Sequence, residues 1–252
     1  MSQPREPAKH SSLRSELRRS VAVSTLAGAL VLLALGTLAG GLAAFAGWTL
    51  YATVVYRAAI RADLPGFGWA GRVTLVRGLL VTLMIPGLLA PELRPWLPLV
   101  LGAMALALDG VDGPIARRTG TASPFGARFD METDALTVLM LSALVGTQGR
   151  VGAWVLASGA LRYLYVAAGW IWPWLRGPVP PSFARRLVCV LQIAGLLVAL
   201  TPIVPPPWPA IVAAVSLALL LWSFGRDVIG LMRDKGMAES SGAPYLTDRS
   251  GV

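Results

Sequence analysis

The chain has 252 residues, 55% of them hydrophobic and only 14% charged, whereas a soluble domain carries about 25% charged residues. With a mean hydropathy of +0.64, this excludes an ordinary soluble globular domain and indicates a membrane protein. The formal charge of +9 then points to topology and anionic lipid. It does not point to nucleic acid, because the tail arginines are not interleaved with aromatic residues.

Residues 1–20 form a basic tail with Arg5, Lys9, Arg14, Arg18 and Arg19, read as a disordered segment leading into a short interfacial helix. Ala44-Phe45-Ala46 has the look of a secretory cleavage site, but the apolar stretch from Val21 far exceeds the ~7–15 residues of a signal peptide. Residues 21–56 carry no charge and exceed the about 20 residues one span needs. They fit an extra N-terminal transmembrane hairpin turning at Gly40-Gly41, with one long tilted helix as the alternative. Residues 57–72, with Arg57, Arg61, Asp63 and Pro65, read as an interfacial linker.

Six more spans follow, over 73–90, 95–116, 125–147, 151–172, 184–202 and 209–230, punctuated at 91–95, Gly149-Arg150, 177–182 and 202–209. The expected fold is therefore all-α, a polytopic membrane helix bundle with a six-helix core over 73–232, two extra helices before it and a polar tail over 233–252. One set of connections holds the N-terminal tail, Arg57, Arg61, Arg72, Arg117, Arg118, Arg176, Arg185, Arg186, Arg226, Arg233 and Lys235; the opposite set holds only Arg94 and Arg150. The positive-inside rule puts the first set and both termini in the cytoplasm.

Between the second and third core spans the sequence reads LDGVDGPIARRTGTASPFGARFDMETDA from Leu108. Asp109 and Asp112 are three apart at the end of one helix; Asp130 and Asp134 are four apart at the start of the next, so each pair shares a face. Two antiparallel helices would set the pairs opposite one another. Four carboxylates in one small volume repel unless a cation sits among them, which suits one or two hard divalent metals. One cysteine, Cys189, and one histidine, His10, supply no thiolate or imidazole site, so oxygen ligands and Mg2+ or Mn2+ are favoured over zinc. Asp109 lies 13 residues beyond Trp96, about 20 Å down a helix and within the inner part of the bilayer, where carboxylates mark a functional cavity.

Glycines at 113 and 126 let a nucleotide approach closely, and Pro114 should loosen the helix locally. Arg117 could answer a diphosphate, and Arg118 reads as a topology anchor. Ser123 offers a hydroxyl either to a ligand or to a turn. Arg162 stands mid-span in an apolar helix and is a functional candidate.

These residues match the pattern D-x2-D-G-x2-A-R-x8-G-x3-D-x3-D at Asp109, Asp112, Gly113, Ala116, Arg117, Gly126, Asp130 and Asp134. In this the chain resembles the CDP-alcohol phosphatidyltransferase family. The resemblance implies that the four aspartates bind two divalent cations, and that Asp134 is also the base that deprotonates the acceptor hydroxyl. It implies that Gly113, Ala116, Arg117, Ser123 and Gly126 meet the CDP part of the donor, that CMP leaves, and that the protein is a homodimer with a cytoplasm-facing polar cavity. Upstream, Thr74 and Arg77 match the element N-x-[LIV]-T-x2-R, while Gly71 stands where Asn is common. Thr74 is thus a further nucleotide contact, and Arg77 either belongs with it or anchors the membrane interface. Arg185, Arg186 and Gln192 could hold a phosphate on the acceptor, as similar basic positions do in phosphatidylglycerophosphate and inositol-phosphate members; topology anchoring explains the two arginines equally well.

The expected function is transfer of a phosphatidyl group from a CDP-alcohol, CDP-diacylglycerol first, to an alcohol acceptor at the cell membrane in phospholipid biosynthesis. A soluble CDP-alcohol donor with a lipid or polyol acceptor is the alternative within that chemistry. A divalent-cation transporter would instead spread polar residues over several spans and both faces, and a non-catalytic scaffold would have no use for the intact motif.

Overall fold

The computed structural model describes residues 15, 19, 22, 23, 26, 38–62, 64, 68–90, 96–119, 123–177, 179 and 182–241, with the side chains of 111–119 and 237–241 outside that description. Apolar segments of these lengths satisfy their backbone hydrogen bonds within helices, as a bilayer demands. Among the described residues seven long helices result: α1 (Leu38–Arg61), α2 (Gly68–Thr82), α3 (Trp96–Thr119), α4 (Pro124–Thr147), α5 (Leu156–Ile171), α6 (Phe183–Leu200) and α7 (Trp208–Ser241). A short helical turn, Pro86–Leu89, extends α2. No strand occurs among the described residues.

Leu38–Arg61, Gly68–Leu89, Phe183–Leu200 and Trp208–Gly236 are long and apolar enough to cross a membrane, and the chain is an integral membrane protein. α4 carries three acidic residues in its first half, α5 has 16 residues, and the apolar stretch of α3 described with side chains, Trp96–Gly110, is shorter than a full span. Each of the six core spans expected from the sequence overlaps a helix, but the last runs on from the expected end at 230 to Ser241, through the start of the expected polar tail, and α2 begins at Gly68, inside the expected linker.

The predicted turn at Gly40-Gly41 is corrected. Both glycines lie inside α1 and are buried, with Ala44, Trp48, Ala52, Val55 and Ala59 on the same stripe. Small residues spaced by three and four allow close helix packing in lipid, where they need not signal a turn. α1 packs on α2 and the Pro86–Leu89 turn. Most of the first half of the expected hairpin, and of the basic tail, lies outside the described residues. The linker is also shorter than expected, since α1 continues through Arg57 to Arg61.

α4 is the hub, packing against α2, α5 and α6, while α2 pairs with α3 and α6 with α7. The core between them holds Val81, Met84, Leu141, Val145, Ile193, Leu196 and Leu200. α5 lies so close to α4 that a Cβ at Gly159 would stand 2.5 Å from Leu139 Cα. At the end of the bundle away from the motif, Gly149 turns the chain at φ +65°, a conformation that favours glycine. Arg150 then donates to Thr201 O at 2.7 Å and to Val204 O, tying the α4–α5 connection to the α6–α7 connection. The opposite end carries the acidic motif.

Candidate active site

α3 and α4 are joined by residues 120–123, so the two halves of the motif lie at one end of the bundle. α4 starts sharply: Ser123 is its N-cap, its hydroxyl accepts from the Gly126 N–H at 2.9 Å, and Pro124 occupies the first turn. From this start, Asp130 and Asp134 fall one turn apart on the face turned toward α3, which presents Asp109. One carboxylate oxygen from each of the three lies within 4.8 Å of the others. Asp112 sits one helical turn beyond Asp109 on the α3 backbone; its side chain, and those of Gly113, Ala116 and Arg117, lie outside the described residues. α3 runs on through Pro114 to Thr119, so the proline does not end the helix. A single missing N–H is tolerated within a helix this long.

Arg77 stands at the centre of the acidic group, and the interface-anchor reading is corrected. Its side chain is 1% exposed. Nη1 lies 3.1 Å from Asp109 Oδ1 and 2.5 Å from Asp130 Oδ1, and Nη2 donates to Asp134 Oδ1. A planar guanidinium can serve three carboxylates at once because its donors form a fixed fork. One positive charge against three negative ones still leaves a local excess of negative charge. Oxygen-only donors, partly buried and closely spaced, fit a hard divalent cation and offer nothing to a soft one. A buried acidic triad is thus present that could bind a metal.

The triad opens into a cavity of about 930 Å³ between α4, α5, α6 and α7. Arg162, Arg185 and Arg186, expected on the acceptor side, all line it. None stands alone: Arg162 Nη2 pairs with Glu132, Arg185 Nε with Asp227 Oδ2 at 3.0 Å, and Arg186 Nη2 reaches the Asp109 carbonyl at 3.5 Å. Apolar Val138, Val166, Leu220 and Phe224 share the same walls. Cys189 is also there, its Sγ 3.7 Å from Asp134 Oδ2.

Other expected residues make contacts within the protein. Thr74 is buried and donates to Ala70 O at 3.1 Å within its own helix. Ser123 and Gly126 engage each other in the α4 cap. Gln192 is fully buried and is not among the residues lining the cavity. Glu132 and Asp227 were missed. Glu132 stands two residues after Asp130, and its position inside the motif was the available signal. Asp227 stands beside Arg226 near the end of the last apolar span, and no motif marks it.

A family model described as CDP-alcohol phosphatidyltransferase matches residues 69–222, well over half of the chain. No curated protein and no solved structure matches it at a significant level. The matched region begins at α2 and leaves α1 outside.

Proposed function

Since the chain belongs to the CDP-alcohol phosphatidyltransferase family, we propose that it transfers a phosphatidyl group from CDP-diacylglycerol to the hydroxyl of a polar, anionic acceptor and releases CMP. The observation that carries this reading is the convergence of Asp109, Asp130 and Asp134 at the mouth of a cavity whose remaining polar lining is rich in arginine. The apolar residues beside it favour a donor with acyl chains.

Asp109, Asp130 and Asp134, with Asp112 from the same motif, are the residues that would hold Mg2+ or Mn2+, two ions by family pattern. Bound there, the ions supply charge neutralisation for the diphosphate and the departing CMP. The protein's own groups do the rest. Gly113, Ala116 and Arg117 follow Asp112 on α3 and are proposed to meet the cytidine diphosphate. Asp134 is the proposed base: Arg77 holds its Oδ1, and Oδ2, which has only a long 3.7 Å contact from the Cys189 thiol, is proposed to take the acceptor's proton. That proton passes to Asp134 as the acceptor oxygen bonds to the phosphorus carrying the diacylglycerol, and the P–O bond to CMP breaks with its electron pair leaving on CMP. Arg162, Arg185 and Arg186 are proposed to orient the acceptor's anionic group. The arginine bias of the connections puts this end of the bundle in the cytoplasm.

The test is a screen of purified protein with Mn2+ or Mg2+, CDP-diacylglycerol and a panel of acceptors: glycerol 3-phosphate, inositol phosphate, serine, phosphatidylglycerol and inositol. CMP release and lipid mass are read together. Asp134→Asn should abolish turnover and leave nucleotide binding largely intact. Near-normal turnover in that variant would overturn the base assignment, and no CMP from any donor–acceptor pair would overturn the transferase reading.

A further inference from the structure

α1 precedes the family-matched region, yet one of its side chains reaches the helix that carries the acidic motif. Tyr51 Oη lies 2.9 Å from Thr133 Oγ1. Thr133 is fully buried and donates its one hydroxyl proton to Phe129 O at 2.8 Å, so Tyr51 is the donor in the first contact. The resulting chain, Tyr51 to Thr133 to the Phe129 carbonyl, spans one turn of α4. Phe129 immediately precedes Asp130 and Thr133 immediately precedes Asp134. A threonine bonded back to its i−4 carbonyl often bends a helix locally, and here the same hydroxyl oxygen also accepts from Tyr51, which ties this turn of α4 to α1.

The ring of Tyr51 is seated as specifically as its hydroxyl. A Cβ at Gly78 would stand 2.2 Å from the ring carbons, so only glycine at that position admits the tyrosine. Gly78 follows Arg77, the arginine shared by the three carboxylates. The ring also packs against Phe129, with centroids 6.3 Å apart, and against Trp48 on α1 at 5.8 Å. One side chain therefore touches α2 beside Arg77 and α4 between Asp130 and Asp134. A simple lipid anchor would have no need to seat a half-buried phenol between helices with its hydroxyl bonded to one of them.

We propose that Tyr51 is a positioning residue of the active site, holding the Asp130–Asp134 turn of α4 in register with α2 and so setting divalent-cation binding and turnover. The part concerning turnover rests on the transferase reading above; the part concerning cation binding does not.

The test uses the full chain in detergent. Mn2+ binding is read from the loss of the free-ion electron paramagnetic resonance signal, and CMP release from CDP-diacylglycerol gives kcat and KM. Tyr51→Phe should weaken Mn2+ binding and lower kcat, each roughly three- to tenfold, with little change in the donor KM. Thr133→Val should match it, and the double variant should be no worse than the larger single loss. Thr133→Ser keeps the hydroxyl and should recover Mn2+ binding that Thr133→Val loses, which guards against a variant that merely folds poorly. Wild-type Mn2+ binding in Tyr51→Phe, equal losses in Thr133→Ser and Thr133→Val, or losses that multiply in the double variant would each overturn the proposal. A wild-type protein that binds Mn2+ but releases no CMP would instead overturn the transferase reading, and the Mn2+ titrations would still decide the role of Tyr51.

Discussion

Replacing Arg77 by methionine keeps most of the side chain's length and removes its charge. The guanidinium is 1% exposed and engages Asp109, Asp130 and Asp134, so its loss leaves three closely spaced carboxylates with no opposing charge among them. Breaking a buried pair by removing one partner costs about 3–5 kcal/mol, because the remaining charge is left uncompensated. For a protein of this size, that corresponds to a fall in Tm of roughly 6–20 °C. A divalent cation held by the same carboxylates supplies positive charge, so Mn2+ should recover part of the loss. The assay is thermal unfolding of the purified protein in detergent, with EDTA and with Mn2+. Arg77→Met should melt well below wild type in EDTA and gain more than wild type from Mn2+. Equal melting of the two proteins in EDTA would refute the reasoning, since the carboxylates would then not depend on Arg77 for their charge balance.

Gly159→Ala should destabilise the protein by about 1–3 kcal/mol, because the new methyl meets the Leu139 backbone at 2.5 Å and backbone cannot swing aside; thermal unfolding checks this. Arg162→Met should raise the KM for an anionic acceptor about tenfold or more and change the KM for CDP-diacylglycerol little, as read by initial rates with each substrate varied. An equal effect on both would remove Arg162 from the acceptor side.

The span pattern was legible because proline, glycine or charge separates the core helices, although charge alone did not end α7, which runs past Arg226 and Asp227 to Ser241. The acidic site was legible for a different reason. Asp109, Asp130 and Asp134 have spacings that put them on facing turns of adjacent helices, and three carboxylates do gather there. Arg77 could not be placed by spacing alone, because its role depends on α2 lying against α4, a contact between elements far apart in sequence. Gly40 and Gly41 misled because a glycine pair can serve a turn or a tight packing stripe, and only the neighbouring helix decides which. Thr74 and Ser123 each engage their own backbone, as short hydroxyl side chains readily do, which for Ser123 is the turn role that its position also offered. Tyr51 carried no sequence signal, since nothing in α1 marks it as a neighbour of Thr133.

The central claim is that the carboxylates of α3 and α4 form one divalent-cation site beside the substrate cavity. Crystals of the full chain grown with Mn2+, with anomalous diffraction recorded at the manganese edge, test it most directly. The account predicts anomalous density bonded to oxygens of Asp109, Asp130 and Asp134, at about 2.0–2.3 Å, which is lost in Asp130→Asn. Manganese density elsewhere with none at these carboxylates would contradict it.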